Sequence, residues 1–216
     1  MFRAQDSRLK MKLIGLLQRQ SLVRVRIPMA RDQRIKAAWA CVALGPVSKP
    51  LIPDLLAMTK EQADDYNATL YALGGMGDVA VMPLVLALTN KNSQVRQVAA
   101  GVLGLIGRGA SNAVSALAES LHDADAGVRM NAALSLGAIR IASPEAVSVL
   151  AGALSDRDSA VRCNAAASLS EFGPEAKGTA PSLSKLLDDP DEFVRMNATN
   201  ALKAVDPEAG AKVGVK

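Results

Sequence analysis

The sequence predicts an all-α solenoid of antiparallel helix pairs, about six units of 33 residues in a chain of 216. Three observations carry that expectation. Arg96, Arg129, Arg162 and Arg195 follow one another at intervals of 33 residues, each preceded by a valine (Val95, Val128, Val161, Val194). Beyond each arginine the apolar residues keep helical spacing: Val128, Ala132, Leu136 and Ile139 are matched by Val161, Ala165, Leu169 and Phe172, and again by Val194, Ala198, Leu202 and Val205. Separations of 4, 4 and 3 trace one helix face, not the alternation of a strand. The pairs Leu84/Leu88, Leu117/Leu121, Leu150/Leu154 and Leu183/Leu187 recur at the same period and mark a second helix in each unit.

Each unit opens on acid. Asp123, Asp156 and Asp189 lie six residues before an arginine, and Asp125, Asp158 and Asp191 lie four before it. Asn90 and Asn92 take those places in the Arg96 unit. The nearer residue stands where a helix N-cap belongs, with a side-chain oxygen ready for free backbone N–H groups. Gly77, Gly107 and Gly173 separate first helix from second, as a C-terminal glycine should, whereas Arg140 holds that place in the Arg129 unit.

Weaker copies lie upstream. "RIKAAWACVALG" (Arg34 to Gly45) and "YNATLYALGGMG" (Tyr66 to Gly77) fit the first-helix template, with Arg34 and Tyr66 at the arginine position. "DSRLKMKL" (Asp6 to Leu13) fits it with Lys10, but only 24 residues separate Lys10 from Arg34. The stretch Ser21 to Ala30 between them reads as extended, with Pro28 ending it. Residues 1–30 are thus expected to be a degenerate, basic N-terminal unit, either a cap or part of a longer array, and residues 31–216 the solenoid.

A helix pair cannot bury its apolar stripe alone, so neighbours must stack into a continuous core. Composition agrees: hydrophobic residues make up 50% of the chain and aromatics 3%, so alanine, leucine and valine must build that core.

A unit reading D-x-x-V-R, then A-A, then L-G or similar, resembles a HEAT repeat, most closely the short bacterial subclass called PBS-lyase HEAT-like. The resemblance covers roughly Arg31 to Val205, and more weakly Asp6 to Gln20. It implies a right-handed solenoid whose second helices line a concave side. It implies no single activity, since such arrays serve many partners.

Charge is uneven. Residues 1–36 hold ten Lys/Arg against Asp6 and Asp32, a net +8, so the remainder of a chain of net +4 carries −4. The basic cluster Arg8, Lys10, Lys12, Arg19, Arg24 and Arg26 is a solvated capping face, or a surface for an acidic protein, nucleic acid or an anionic surface. Phe2 is its only aromatic companion, which argues against stacking on single strands. Cys41 and Cys163, far apart and on different units, suggest a reducing compartment. No stretch approaches the ~20 apolar residues of a membrane span, and the first 20 residues lack a signal peptide's unbroken apolar core. A soluble, cytoplasmic chain is expected.

Residues that suggest chemistry have structural readings. The repeated Asp and Arg residues are expected to pair, since a catalytic acid should occur once and not in every unit. Asn131, Asn164 and Asn197 are expected to form a polar ladder by bonding one another across stacked helices. His122, the single histidine, should end a helix at the surface, and Cys163 should fill the place of Met130 and Met196. HEAT-like hydroxylases that bind iron use repeated His-Glu pairs, which this sequence lacks. "GGMGD" (Gly74 to Asp78) lacks the ending of a phosphate loop. No catalytic residue, metal or cofactor is expected.

Opposite the leucine stripe of the second helices lie Pro83, Leu86, Ala116, Glu119, Val149, Gly152, Ser182 and Lys185. They are the candidate lining of a partner groove. Small or apolar residues with sparse charge suit a helix or extended peptide better than a phosphate backbone. The leading expectation is a non-enzymatic protein-interaction scaffold of unidentified partner. The alternatives are a nucleic-acid or anionic-surface binder using the basic unit, and a lyase-like enzyme or chaperone. A charge at Val149 is expected to spare the fold.

Overall fold

The computed structural model describes residue 12 and residues 40–41, 43–58 and 63–213. The copy around Lys10 and most of the copy around Arg34 lie outside these residues. No strand occurs among the described residues. In chain order the helices are α1 (Ile52–Met58), α2 (Ala63–Gly75), α3 (Asp78–Ala87), α4 (Ser93–Ile106), α5 (Val114–Ser120), α6 (Ala126–Ile139), α7 (Pro144–Ala153), α8 (Ser159–Phe172), α9 (Ala180–Lys185), α10 (Glu192–Val205) and α11 (Pro207–Val213). Short 3-10 segments, Gly107–Ala113 and Gly173–Thr179, lead into α5 and α9.

Two layers result. The first helices α2, α4, α6, α8 and α10 pack each on the next, and α3, α5, α7 and α9 form the second layer behind them. The helices start where the sequence places their caps. Asn92 accepts from the Gln94 amide, Asp125 from Val128, Asp158 from Ala160 and Val161, and Asp191 from Phe193 and Val194. Both predicted stripes face inward. Val128, Ala132, Leu136 and Ile139 are buried, as are Leu84, Leu117, Leu150 and Leu183. Leu187 is half-buried against the same core.

The turn between the helices varies, and Gly77 (φ 60, ψ −140) runs straight into α3. Gly107 (φ 65, ψ −134) and Gly173 (φ 62, ψ −138) adopt a conformation that a Cβ would obstruct, and the 3-10 segment starts from it. Arg140 cannot follow them there. It sits instead in the left-handed helical region (φ 56, ψ 43), at the small cost that region imposes on a non-glycine residue. Its unit, like that of Gly77, has no 3-10 segment between the two helices. Ser143 caps α7 directly, accepting from the Ala146 amide, and Pro144 opens the helix.

Small residues set the spacing of the first layer. Ser135 Oγ donates to the Ala100 carbonyl at 2.7 Å, and Ser168 Oγ donates to the Ala133 carbonyl at 2.8 Å, each one helix back. Glycines face these serines. A Cβ on Gly104 would stand 3.0 Å from Ser135 Cα, and one on Gly137 would stand 2.8 Å from Ser168 Cα. Gly152 on the second layer is exposed instead, and a Cβ there would meet nothing within 4 Å.

Two identical substitutions should therefore differ in sign. Glycine inside a helix ordinarily costs about 1 kcal/mol relative to alanine, so Gly152→Ala should stabilise by up to that amount. Gly137→Ala gains the same propensity but drives a methyl into backbone, and overpacking of about 1–3 kcal/mol should outweigh it. Denaturant midpoints of the two variants test this. A stabilised Gly137→Ala would mean that the layers are not locked at that contact.

Candidate functional site

The recurring arginines end in forks that join consecutive units. Arg96 donates from Nε and Nη2 to the two carboxylate oxygens of Asp123, at 2.6 and 2.8 Å. Arg129 grips Asp156 at 2.7 and 2.9 Å, and Arg162 grips Asp189 at 2.8 and 2.8 Å. The remaining terminal nitrogen turns back to the arginine's own unit. Nη1 of Arg129 donates to the Asp123 carbonyl at 2.8 Å, and Nη1 of Arg162 to the Asp156 carbonyl at 2.9 Å. Each carboxylate also accepts from a backbone amide two residues on: Asp125 to Asp123, Asp158 to Asp156, Asp191 to Asp189. The expected pairing thus runs to the adjacent unit, with the two-pronged geometry that only a guanidinium offers a carboxylate.

The pairs lie mostly out of water, and their titration follows. The Arg162 fork holds the Asp189 carboxyl below its ordinary value of 3.8, against the upward pull of burial. At Asp123 and Asp156 burial pulls upward, but the guanidinium and amide bonds together prevail and both carboxyls are lowered. The partner guanidiniums are raised, chiefly by these same bonds. These groups are locked in their charged forms, as suits structural ties and not proton transfer.

The asparagines do not bond one another. Asn131 donates from Nδ2 to the Gln97 carbonyl at 3.0 Å. Asn197 donates to its own helix at the Phe193 carbonyl (2.9 Å) and to Cys163 Sγ (3.2 Å). The polar contacts that repeat across the first layer belong instead to Ser135 and Ser168, which the sequence reading passed over.

Other candidates are quiet. Burial pushes the Cys41 thiol up to about 11, so it is protonated at neutral pH and packs as an apolar group. The Cys163 thiol is also raised, first by burial and then by Asp191. His122 is exposed just beyond α5. Of the basic cluster, Arg8, Lys10, Arg19, Arg24 and Arg26 lie outside the described residues. Lys12 pairs with Asp54 on α1.

The candidate groove residues divide by position. Leu86, Glu119, Gly152 and Lys185 form an exposed row at the 33-residue period. Pro83, Ala116, Val149 and Ser182 are half-buried, and Ala116 and Val149 pack against the core. A charge at Val149 would therefore disturb packing, contrary to expectation. The exposed large apolar residues concentrate elsewhere. Among the described residues only Met82 and Leu86 of that set belong to a second helix. Tyr71, Leu105, Leu134, Phe193 and Met196 all stand on first helices. Their signal was present in the sequence, since Leu134 lies five residues after its arginine and off the buried stripe.

The comparisons with known proteins bear on the whole array. A family model described as HEAT repeats matches residues 52–137, 81–154 and 114–203. No curated protein matches. Among solved structures, the chain is similar to one of the complex of CpcE and CpcF of phycocyanin lyase from Nostoc sp.. Identity is 22% and the TM-score 0.61, over 70% of this chain and 98% of that one. Computationally designed armadillo repeat proteins for modular peptide recognition are similar at 20% identity and a TM-score of 0.56. The match covers 90% of this chain and 99% of that one. Likeness at such identities speaks to the fold alone.

Removing a fork should show its weight. Arg162→Ala leaves Asp189 charged with one amide bond, and the loss should be about 3 kcal/mol, that of breaking a mostly buried pair. The three lowered carboxyls also set an acid limit. A depressed folded pKa stabilises fully above the ordinary carboxylate value and is lost as pH falls through the lowered one. Melting temperature should therefore drop steeply below pH ~4, and less steeply in Arg162→Ala. An identical acid profile in that variant would show that its fork carries no such stability.

Proposed function

Because this chain belongs to the HEAT-repeat family, we propose that it is a non-enzymatic protein-interaction scaffold that holds a helix or extended peptide segment along its stacked units. The fate of the recurring charges supports this most directly. Arg96, Arg129 and Arg162 are bonded inside the array, while large apolar side chains stand free on its surface. Stacked repeats of this kind offer long surfaces of repeated positions, each unit adding one set of contacts.

The segment is proposed to follow the second-helix row, with Leu86, 71% exposed, as its apolar anchor and Glu119, Gly152 and Lys185 along its path. The half-buried Pro83, Ala116, Val149 and Ser182 form the floor of that groove. A second placement, on the first helices, draws support from Leu134 (51% exposed) and from the other exposed apolar residues there. The tight contacts at Gly104 and Gly137 favour it too, because a stack bends toward the layer in which its units approach most closely. In the nucleic-acid alternative the basic unit makes the contacts, and affinity falls steeply with salt.

Affinity capture from the source cell with mass spectrometry, using three forms of the protein, separates these readings. Leu86→Glu should abolish recovery of the partner if the segment follows the second helices, and Leu134→Glu should abolish it if it follows the first. Both sites are exposed, so melting should change by less than about 0.5 kcal/mol. Salt-sensitive binding of duplex DNA or RNA that neither substitution alters would overturn the scaffold reading.

A further inference from the structure

Among the described residues the fork at α10 has no second half. Arg195 is held as its counterparts are: Nη1 donates to the carbonyls of Asp189 at 2.7 Å and Pro190 at 3.1 Å. In Arg96, Arg129 and Arg162 this grip on the home loop leaves Nε and Nη2 directed at the next unit, where a carboxylate meets them. Among the described residues no carboxylate meets Nε or Nη2 of Arg195. The guanidinium is oriented by bonds on one edge and open on the other.

Its neighbours are left open in the same way. Met130 and Cys163 hold the position after the arginine in earlier units, and both are packed partly against the core. Met196, in that position on α10, is 52% exposed, and Phe193 is 67% exposed. The short α11 packs against the far half of α10. Its Gly210 lies so close that a Cβ would stand 2.6 Å from Lys203 Cα, two turns beyond Arg195. An arginine, an exposed aromatic residue and an exposed methionine thus share the first turns of α10, a composition typical of protein contacts.

We propose that the first turns of α10 are a docking surface for an acidic, helix-opening loop of a partner protein. Its carboxylate would seat on Nε and Nη2 of Arg195, and an apolar side chain behind it would lie against Phe193 and Met196. The interfaces within the array identify the occupant. At the preceding junction the same fork takes Asp189, whose loop opens α10 and whose carboxylate is turned by the Asp191 amide. The acids near Arg195, namely Asp188, Asp189, Asp191 and Glu192, do not prevent this. Arg129 binds Asp156 although its own loop carries Asp123 and Asp125. The surface is separate from the second-helix row of the scaffold reading; it shares Phe193 and Met196 with the first-helix placement, from which it differs in turning on Arg195 and not on Leu134.

The test uses the full chain and a labelled, N-acetylated peptide of residues 187–203, which reproduces the loop and helix of the internal junction. Fluorescence anisotropy should show saturable binding with Kd below about 1 mM. Asp189→Asn in the peptide, or Arg195→Gln in the protein, should each weaken it about tenfold or more, the scale of a lost charge-assisted pair. Arg108→Gln, which removes an exposed arginine in another unit, should leave it unchanged. Circular dichroism checks that Arg195→Gln folds. Should it fail to, Phe193→Ser and Met196→Glu, both at exposed positions, give the same readout. No saturable binding, or binding indifferent to Asp189→Asn, overturns the proposal. Self-association of the chain that is lost in Arg195→Gln also overturns it, making a second copy the occupant.

Discussion

A guanidinium joined to the carboxylate of the next unit is the tie on which this array depends. Taking two charges out of water is costly, and a bare ion pair would scarcely recover that cost. Here the remaining bonding capacity is used as well. Arg129 reaches the carbonyls of Asp123 and Ala124 besides its carboxylate, and Asp156 takes the Asp158 amide besides its arginine. Among the described residues no buried side-chain nitrogen or oxygen lacks a partner. Each fork also spans 27 residues, so it fixes how one unit sits on the next.

That registration makes the close packing of the first layer possible. Ser135 and Ser168 reach backbone one helix away only because Gly104 and Gly137 let the helices approach. Alanine and valine fill the remaining volume, which is why a core with so few aromatics is continuous from Cys41 to Val205. Charge at the loops and small residues at mid-helix act together, one setting register and the other distance.

The same economy shapes the surface. The recurring arginines are bound up inside the junctions, whereas the charges left on the exposed faces, such as Arg108, Glu145 and Lys177, do not recur with the repeat. At α10, where no second half is present among the described residues, the arginine keeps the orientation that the closed junctions require.

Much of this was legible in the residues. The period of 33, the two helices per unit, the caps at Asp125, Asp158 and Asp191 and the inward stripes all follow from spacing, because each depends on neighbours within one or two turns. The pairing of arginine with aspartate was legible as chemistry but not as direction. Sequence places Asp123 both six residues before Arg129 and 27 after Arg96, and only the stacking of α6 on α4 selects the second. The serine contacts, the direct start of α7 after Arg140 and the half-burial of Val149 were likewise decided by packing. Local order is written in periodicity, whereas which face a neighbour covers depends on how closely two helices approach, and that distance exists only once the units are stacked.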